Sequence, residues 1–112
     1  ITVLFQPHLY SRTKALFNDY KKAFLGADFL IIPDIEPARE RHLSALVNSV
    51  ELVAAVGKSQ KNVFYLPKQE DVISFVVKNV RSGDVVLCAS VRGFNNLAKN
   101  LVTALKYEKR KV

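Results

Sequence analysis

The hydrophobic positions of the chain fall into two alternating regimes. Ile1 to Phe5 (ITVLF) is an unbroken apolar run rich in branched side chains, the pattern of a strand buried on both faces, and it stops at Gln6 ahead of Pro7. From about Thr13 the apolar residues recur at Leu16, Phe17, Tyr20, Ala23 and Phe24, which is helical spacing, and Gly26 is a natural stop. The alternation repeats. Phe29 to Ile32 (FLII) runs apolar up to Pro33, and after a polar segment Leu46, Val47, Val50, Val53 and Ala54 mark a second helix ending at Gly57. Asn62 to Leu66 is a third strand closed by Pro67, and Val72, Ile73, Val76 and Val80 mark a third helix. Ser82, Gly83 and Asp84 then turn the chain into Val85 to Ala89, and Phe94, Leu97, Ala98, Leu101, Val102 and Leu105 space a fourth helix.

Apolar strands separated by helices of this length require crossover connections. The expected fold is therefore an α/β domain, an open three-layer Rossmann-like arrangement with a mostly parallel sheet. The domain should span residues 1–106, with a linker-like charged tail at 107–112. In open parallel sheets, ligands gather outside the carboxyl ends of the strands. Four loops leave those ends, carrying Gln6 to Arg12, Asp34 to Arg41, Lys68 to Asp71, and Ser90 to Asn95.

Composition narrows the function classes. A chain of 112 residues, 49% hydrophobic, supports one core. It opens on Ile1 with no leader-like or membrane-spanning apolar stretch, so we read it as a soluble piece of a larger protein, cytoplasmic by default and without a membrane partner. The single cysteine, Cys88, lies in an apolar run and suits a reducing compartment. Residues 106–111 hold four cations and one anion, so +3 of the formal +7 charge sits at the tail. The rest is scattered, with no basic run interleaved with aromatics, which argues against nucleic acid as a partner. His8, His42 and Cys88 have no ligand-like spacing, so no protein-ligated metal is expected.

The candidate chemistry lies in the first two loops. His8 and Arg12 sit four apart across a strand-to-helix turn, where imidazole, guanidinium and a helix amino terminus could together meet an anion. The same letters are accounted for if Ser11 caps the helix and Arg12 points to water. Tyr10 could stack on a ligand or pack on the helix. Asp34, Glu36 and Glu40, interleaved with Arg39 and Arg41, supply carboxylates at this edge but read, for the most part, as a solvated charged loop with weak local ion pairs. Neither G-x-G-x-x-G nor a P-loop occurs, and no nucleophilic triad is suggested by spacing, so the chain does not read as a complete enzyme.

As a string, Gln6-Pro7-His8-Leu9-Tyr10-Ser11-Arg12-Thr13 resembles the Q-P-H-x-[YF]-[ST]-R-T segment of the Mur ligases. Ala27-Asp28 to Glu40 is similar to the family's A-D-x-(apolar)4-D-I-Y-P-A-R-E, and Ser82 to Leu87 to its P-G-D-x-V-L. Leu9 stands where an arginine is common, Glu36 where the family has tyrosine, and Ser90-Val91-Arg92 where it has G-A-G. The resemblance implies the carboxy-terminal domain of a three-domain, ATP-dependent amide-forming ligase of peptidoglycan synthesis. It is nearest to members joining L-alanine to UDP-N-acetylmuramate. ATP and Mg²⁺ would be held mainly by the central domain and the UDP-sugar by the amino-terminal one. This domain would help bind the amino acid and close over the nucleotide, and in isolation it should be inactive. Carried over by position, His8, Tyr10, Ser11, Arg12 and Glu40 would lie at the substrate, with Arg12 pairing the amino acid's carboxylate, and Ser90 and Phe94 would lie at the nucleotide. A Mur-type ligase for another amino acid or peptide, and a stand-alone binding domain on the same scaffold, remain open at this point.

Overall fold

In the structure, a computed structural model describing residues 1–89, 94 and 96–111, with side chains through 107, the apolar runs become four strands. These are β1 (Thr2–Phe5), β2 (Phe29–Ile32), β3 (Val63–Tyr65) and β4 (Val86–Ala89). They form one sheet in the order β3-β2-β1-β4, and all three pairings are parallel. Val3 stands opposite both Leu30 and Leu87, so alternate residues of adjacent strands share a face.

The two faces are covered by different helices. On one, Val3, Leu30 and Ile32 pack against Leu52 and Val56 of α3 (Ser49–Val56) and against Phe17, Tyr20 and Phe24 of the segment that includes α2 (Phe17–Ala23). On the other, Leu4 and Ile31 meet Val72 and Val76 of α4 (Gln69–Asn79) and Leu97 and Leu101 of α5 (Leu97–Lys111). This is the three-layer α/β fold that the alternation implies. Because α4 carries the chain back across the sheet to β4, the connections leaving β1 and β4 depart on opposite faces. The strand order therefore reverses between these two neighbours, the place where such sheets open a crevice.

Three boundaries differ from the sequence reading. The helix expected from Thr13 begins at Tyr10 and is divided at Leu16 (φ −98°, ψ 9°) into α1 (Tyr10–Ala15) and α2. The second expected helix begins at Ser49, after Leu46, because the Asn48 side chain accepts the Glu51 N–H at 2.8 Å and donates to the Glu51 carboxylate, a reciprocal cap that fixes the start. The charged segment expected to be linker-like continues the helix to Lys111; lysine, glutamate and arginine are good helix formers, and no breaker intervenes. Among the described residues, no helix is long and apolar enough to cross a membrane.

Candidate functional site

Beyond the strands, the chain leaving β1 stays beside the chain leaving β2. Gln6 is only 4% exposed; its amide donates to the Asp34 carbonyl at 3.0 Å, and its backbone N–H reaches Ala89 of β4 at 3.2 Å. Two residues on, His8 and Glu36 form an isolated parallel bridge: the Glu36 N–H donates to the Pro7 carbonyl (2.9 Å) and the Leu9 N–H to the Glu36 carbonyl (2.8 Å). Both loops thus pass over the carboxyl edge as a pair, one of them springing from the strand beside the β1/β4 reversal.

Leu9 is the strained point of this edge. Its φ of 70° with ψ of 136° lies outside the regions that a side chain ordinarily permits, a distortion costing roughly 1–3 kcal/mol that must be held by its surroundings. The holding bonds are visible. The Leu9 N–H is bound to Glu36, and its carbonyl accepts both the N–H (3.1 Å) and the hydroxyl (2.7 Å) of Thr13, a fully buried residue one turn into α1. The effect is to turn the chain sharply from strand to helix and to bring Tyr10, Ser11 and Arg12 to the edge.

The first turn of α1 contains no acidic residue, and Leu9 offers no side-chain cap. Glu40 supplies one from the other loop: one carboxylate oxygen accepts the Ser11 N–H at 2.9 Å and the other the Ser11 hydroxyl at 2.5 Å. These hydrogen bonds hold the Glu40 carboxyl below the usual carboxylate range, with a smaller contribution from the nearby His42. The Ser11 N–H is therefore already occupied and is not free to receive an external anion. Arg12, the next residue, is exposed. Burial raises the Tyr20 phenol above its ordinary value, and the positive charge of Arg12 offsets part of that rise.

Tyr10 is half-buried and lines a cleft of about 400 Å³ with Asp34, Pro37, Arg41, Ser44 and Asn48. Asp34 also accepts a short hydrogen bond from the Tyr65 hydroxyl, which pushes the phenol up to about 12. This pair escaped the sequence reading because Tyr65 sat inside an apolar strand. The available signal was its position at the carboxyl end of β3, opposite Ile32 and so level with the start of the Asp34 loop. Another hollow, of about 380 Å³, is lined by Thr2, Asp28, Lys78 and Arg81 at the amino ends of the strands, the edge where ligands of such sheets do not gather.

The structure thus brings Ser11 and Glu40 into direct contact and places His8, Tyr10 and Arg12 on the same edge. Phe94 is half-buried and packs against the cluster of Leu4, Ile31 and Val76; Ser90 lies outside the described residues. Burial raises the Cys88 thiol above its ordinary value, which leaves it chemically quiet at neutral pH.

No protein-family model matches the chain. Among curated proteins, it is 41% identical over 87 residues to the UDP-N-acetylmuramate–L-alanine ligase of Caldanaerobacter subterraneus subsp. tengcongensis, which covers 78% of this chain and 19% of that protein. It is 36% identical over 107 residues to the enzyme of the same name from Geotalea uraniireducens, covering 95% of the chain and 23% of the relative. The corresponding ligase of Syntrophus aciditrophicus is 33% identical over 104 residues, 93% of the chain and 22% of the relative. The chain spans about a fifth of the length of the curated relatives it matches. Resemblance in motif, strand-to-loop placement and overall identity agree: the chain belongs to the Mur ligase family and is similar to its carboxy-terminal domain.

Proposed function

We propose that this chain works as the carboxy-terminal domain of an ATP-dependent ligase that joins L-alanine to UDP-N-acetylmuramate in peptidoglycan synthesis, in the cytoplasm, alongside central and amino-terminal domains of the same protein. One observation carries the reading: the loop pair that places His8 and Arg12 at the carboxyl edge, next to the strand-order reversal, is the segment on which the resemblance to those ligases is most specific.

Arg12 pairs its guanidinium with the carboxylate of the incoming amino acid. Once shielded from water by the other domains, such a charge-assisted pair contributes about 1.5–3 kcal/mol, a large share of what so small a ligand can gain. His8 orients the same substrate, and Tyr10 closes the adjoining cleft. Holding the amine in attack geometry is the larger catalytic service of the domain. Ser11 and Glu40 sit at the same site but bond to each other. Among the described residues, no group of three or more His, Cys, Asp or Glu could hold a metal ion. Mg²⁺ and most of the ATP fall to the other domains, with Ser90 and Phe94 contributing on the nucleotide side.

An ATP-dependent ligation assay of the full-length protein against a panel of amino acids tests this function. L-alanine should be the substrate joined to UDP-N-acetylmuramate most efficiently. Turnover only with another amino acid, or none with any, would refute it.

A further inference from the structure

We infer that Glu40 is a positioning residue: its carboxylate latches the loop after β2 onto the first turn of α1 and thereby sets where Arg12 is presented to the amino-acid substrate. The inference rests on the proposed amino-acid-binding role of Arg12 and adds the device that aims it.

The latch is two-pronged. Both oxygens of Glu40 are used, one by the N–H and one by the hydroxyl of the same residue, Ser11, so the contact fixes direction as well as distance. It also supplies the negative charge that the first turn of α1 lacks in its own sequence. Ser11 precedes Arg12 directly, and any drift of that turn moves the base of the guanidinium-bearing side chain.

The segment delivering Glu40 is itself braced. The Glu36 carboxylate accepts the Ala38 N–H (3.2 Å), Ala38 adopts a left-handed φ of 48°, and the Glu40 N–H returns to the Pro37 carbonyl (2.7 Å). Together with the His8–Glu36 bridge, this makes a closed frame: bridge, turn, latch and the strained Leu9 corner. The bridge fixes the loops at Pro7 to Leu9, and Thr13 ties the inner side of the first turn of α1 to the Leu9 carbonyl. Glu40 is the contact that holds the exposed side of the same turn, at Ser11. Because the latch occupies the Ser11 N–H, the substrate carboxylate is left to the guanidinium of Arg12. A guanidinium shifted away from the carboxylate forfeits part of a charge-assisted pair, so a latch at this point is a determinant of affinity for the amino acid.

The test is steady-state kinetics on the full-length ligase with Glu40→Ala, Ser11→Ala, Ser11→Thr and Arg12→Ala, with thermal melting of each. Glu40→Ala and Ser11→Ala should each raise the KM for the amino acid about tenfold while kcat and the KM for ATP change less than about twofold. Ser11→Thr, which keeps both donors, should restore the wild-type KM, and the double alanine variant should be no worse than Glu40→Ala alone because both remove one contact. The inference is overturned if Arg12→Ala raises the amino-acid KM but Glu40→Ala and Ser11→Ala do not, or if Ser11→Thr is as damaging as Ser11→Ala. If Glu40→Ala does not fold, Ser11→Ala decides by the same criterion. An unchanged amino-acid KM in Arg12→Ala would instead overturn the role assigned to Arg12, and the latch with it.

Discussion

The carboxylate of Glu40 grips the N–H and hydroxyl of Ser11, 29 residues earlier in the chain, and so joins the loops after the two central strands into one body. The joint has a pH dependence with a definite sign. Folding lowers the Glu40 carboxyl below its ordinary value near about 4.3, so its contribution to stability is fully present above that value and is lost as pH falls through the lowered one. As pH is lowered from about 4.3 downward, Glu40→Gln should therefore lose less stability than the wild type in chemical denaturation. Parallel losses in the two proteins would contradict this.

Tyr65 makes the opposite case. Its phenol, donating to the Asp34 carboxylate, is pushed up to about 12, mainly by that hydrogen bond and then by burial. A raised value means that the contribution is complete below the ordinary phenol value of about 10 and is lost as pH rises through about 12. Ultraviolet titration, with Tyr65→Phe as the difference reference, should show this phenolate appearing well above the ordinary value of about 10. Asp34→Asn should bring it back toward about 10. A Tyr65 that titrates normally in the wild type would exclude the pair.

The core on the α3 side gives a prediction of magnitude. Leu52 is fully buried among Val3, Leu30, Ile32 and Val56, and Leu52→Ala should cost about 2–5 kcal/mol through lost burial and the cavity left behind. Leu25, 54% exposed, lies outside this packing, and Leu25→Ala should change stability by less than about 0.5 kcal/mol. Urea denaturation of both variants checks the contrast; equal effects would mean that the α3 face is not a packed core.

The layer order was legible because each of the first three strands runs into a proline, Pro7, Pro33 or Pro67, and each is an apolar run of strand length. Local patterning does not encode contacts made at a distance, and that is where the reading stopped short. The true start of α1 at Tyr10 depends on a cap from Glu40, and the burial of Gln6 depends on the Asp34 carbonyl. Nothing in the letters marks the break at Leu16. The candidate site was legible as a location, since polar residues at the carboxyl edge of a parallel sheet stand out. The contacts within it were not: the bond between Ser11 and Glu40 joins residues 29 apart, and no local pattern announces it.

The central claim is that this domain holds the amino acid through Arg12, and the KM of the full-length ligase for L-alanine with Arg12→Ala is its most direct measurement. The account predicts a rise of about tenfold to a hundredfold with the KM for ATP nearly unchanged. A loss confined to ATP affinity, with the L-alanine KM unmoved, would contradict it.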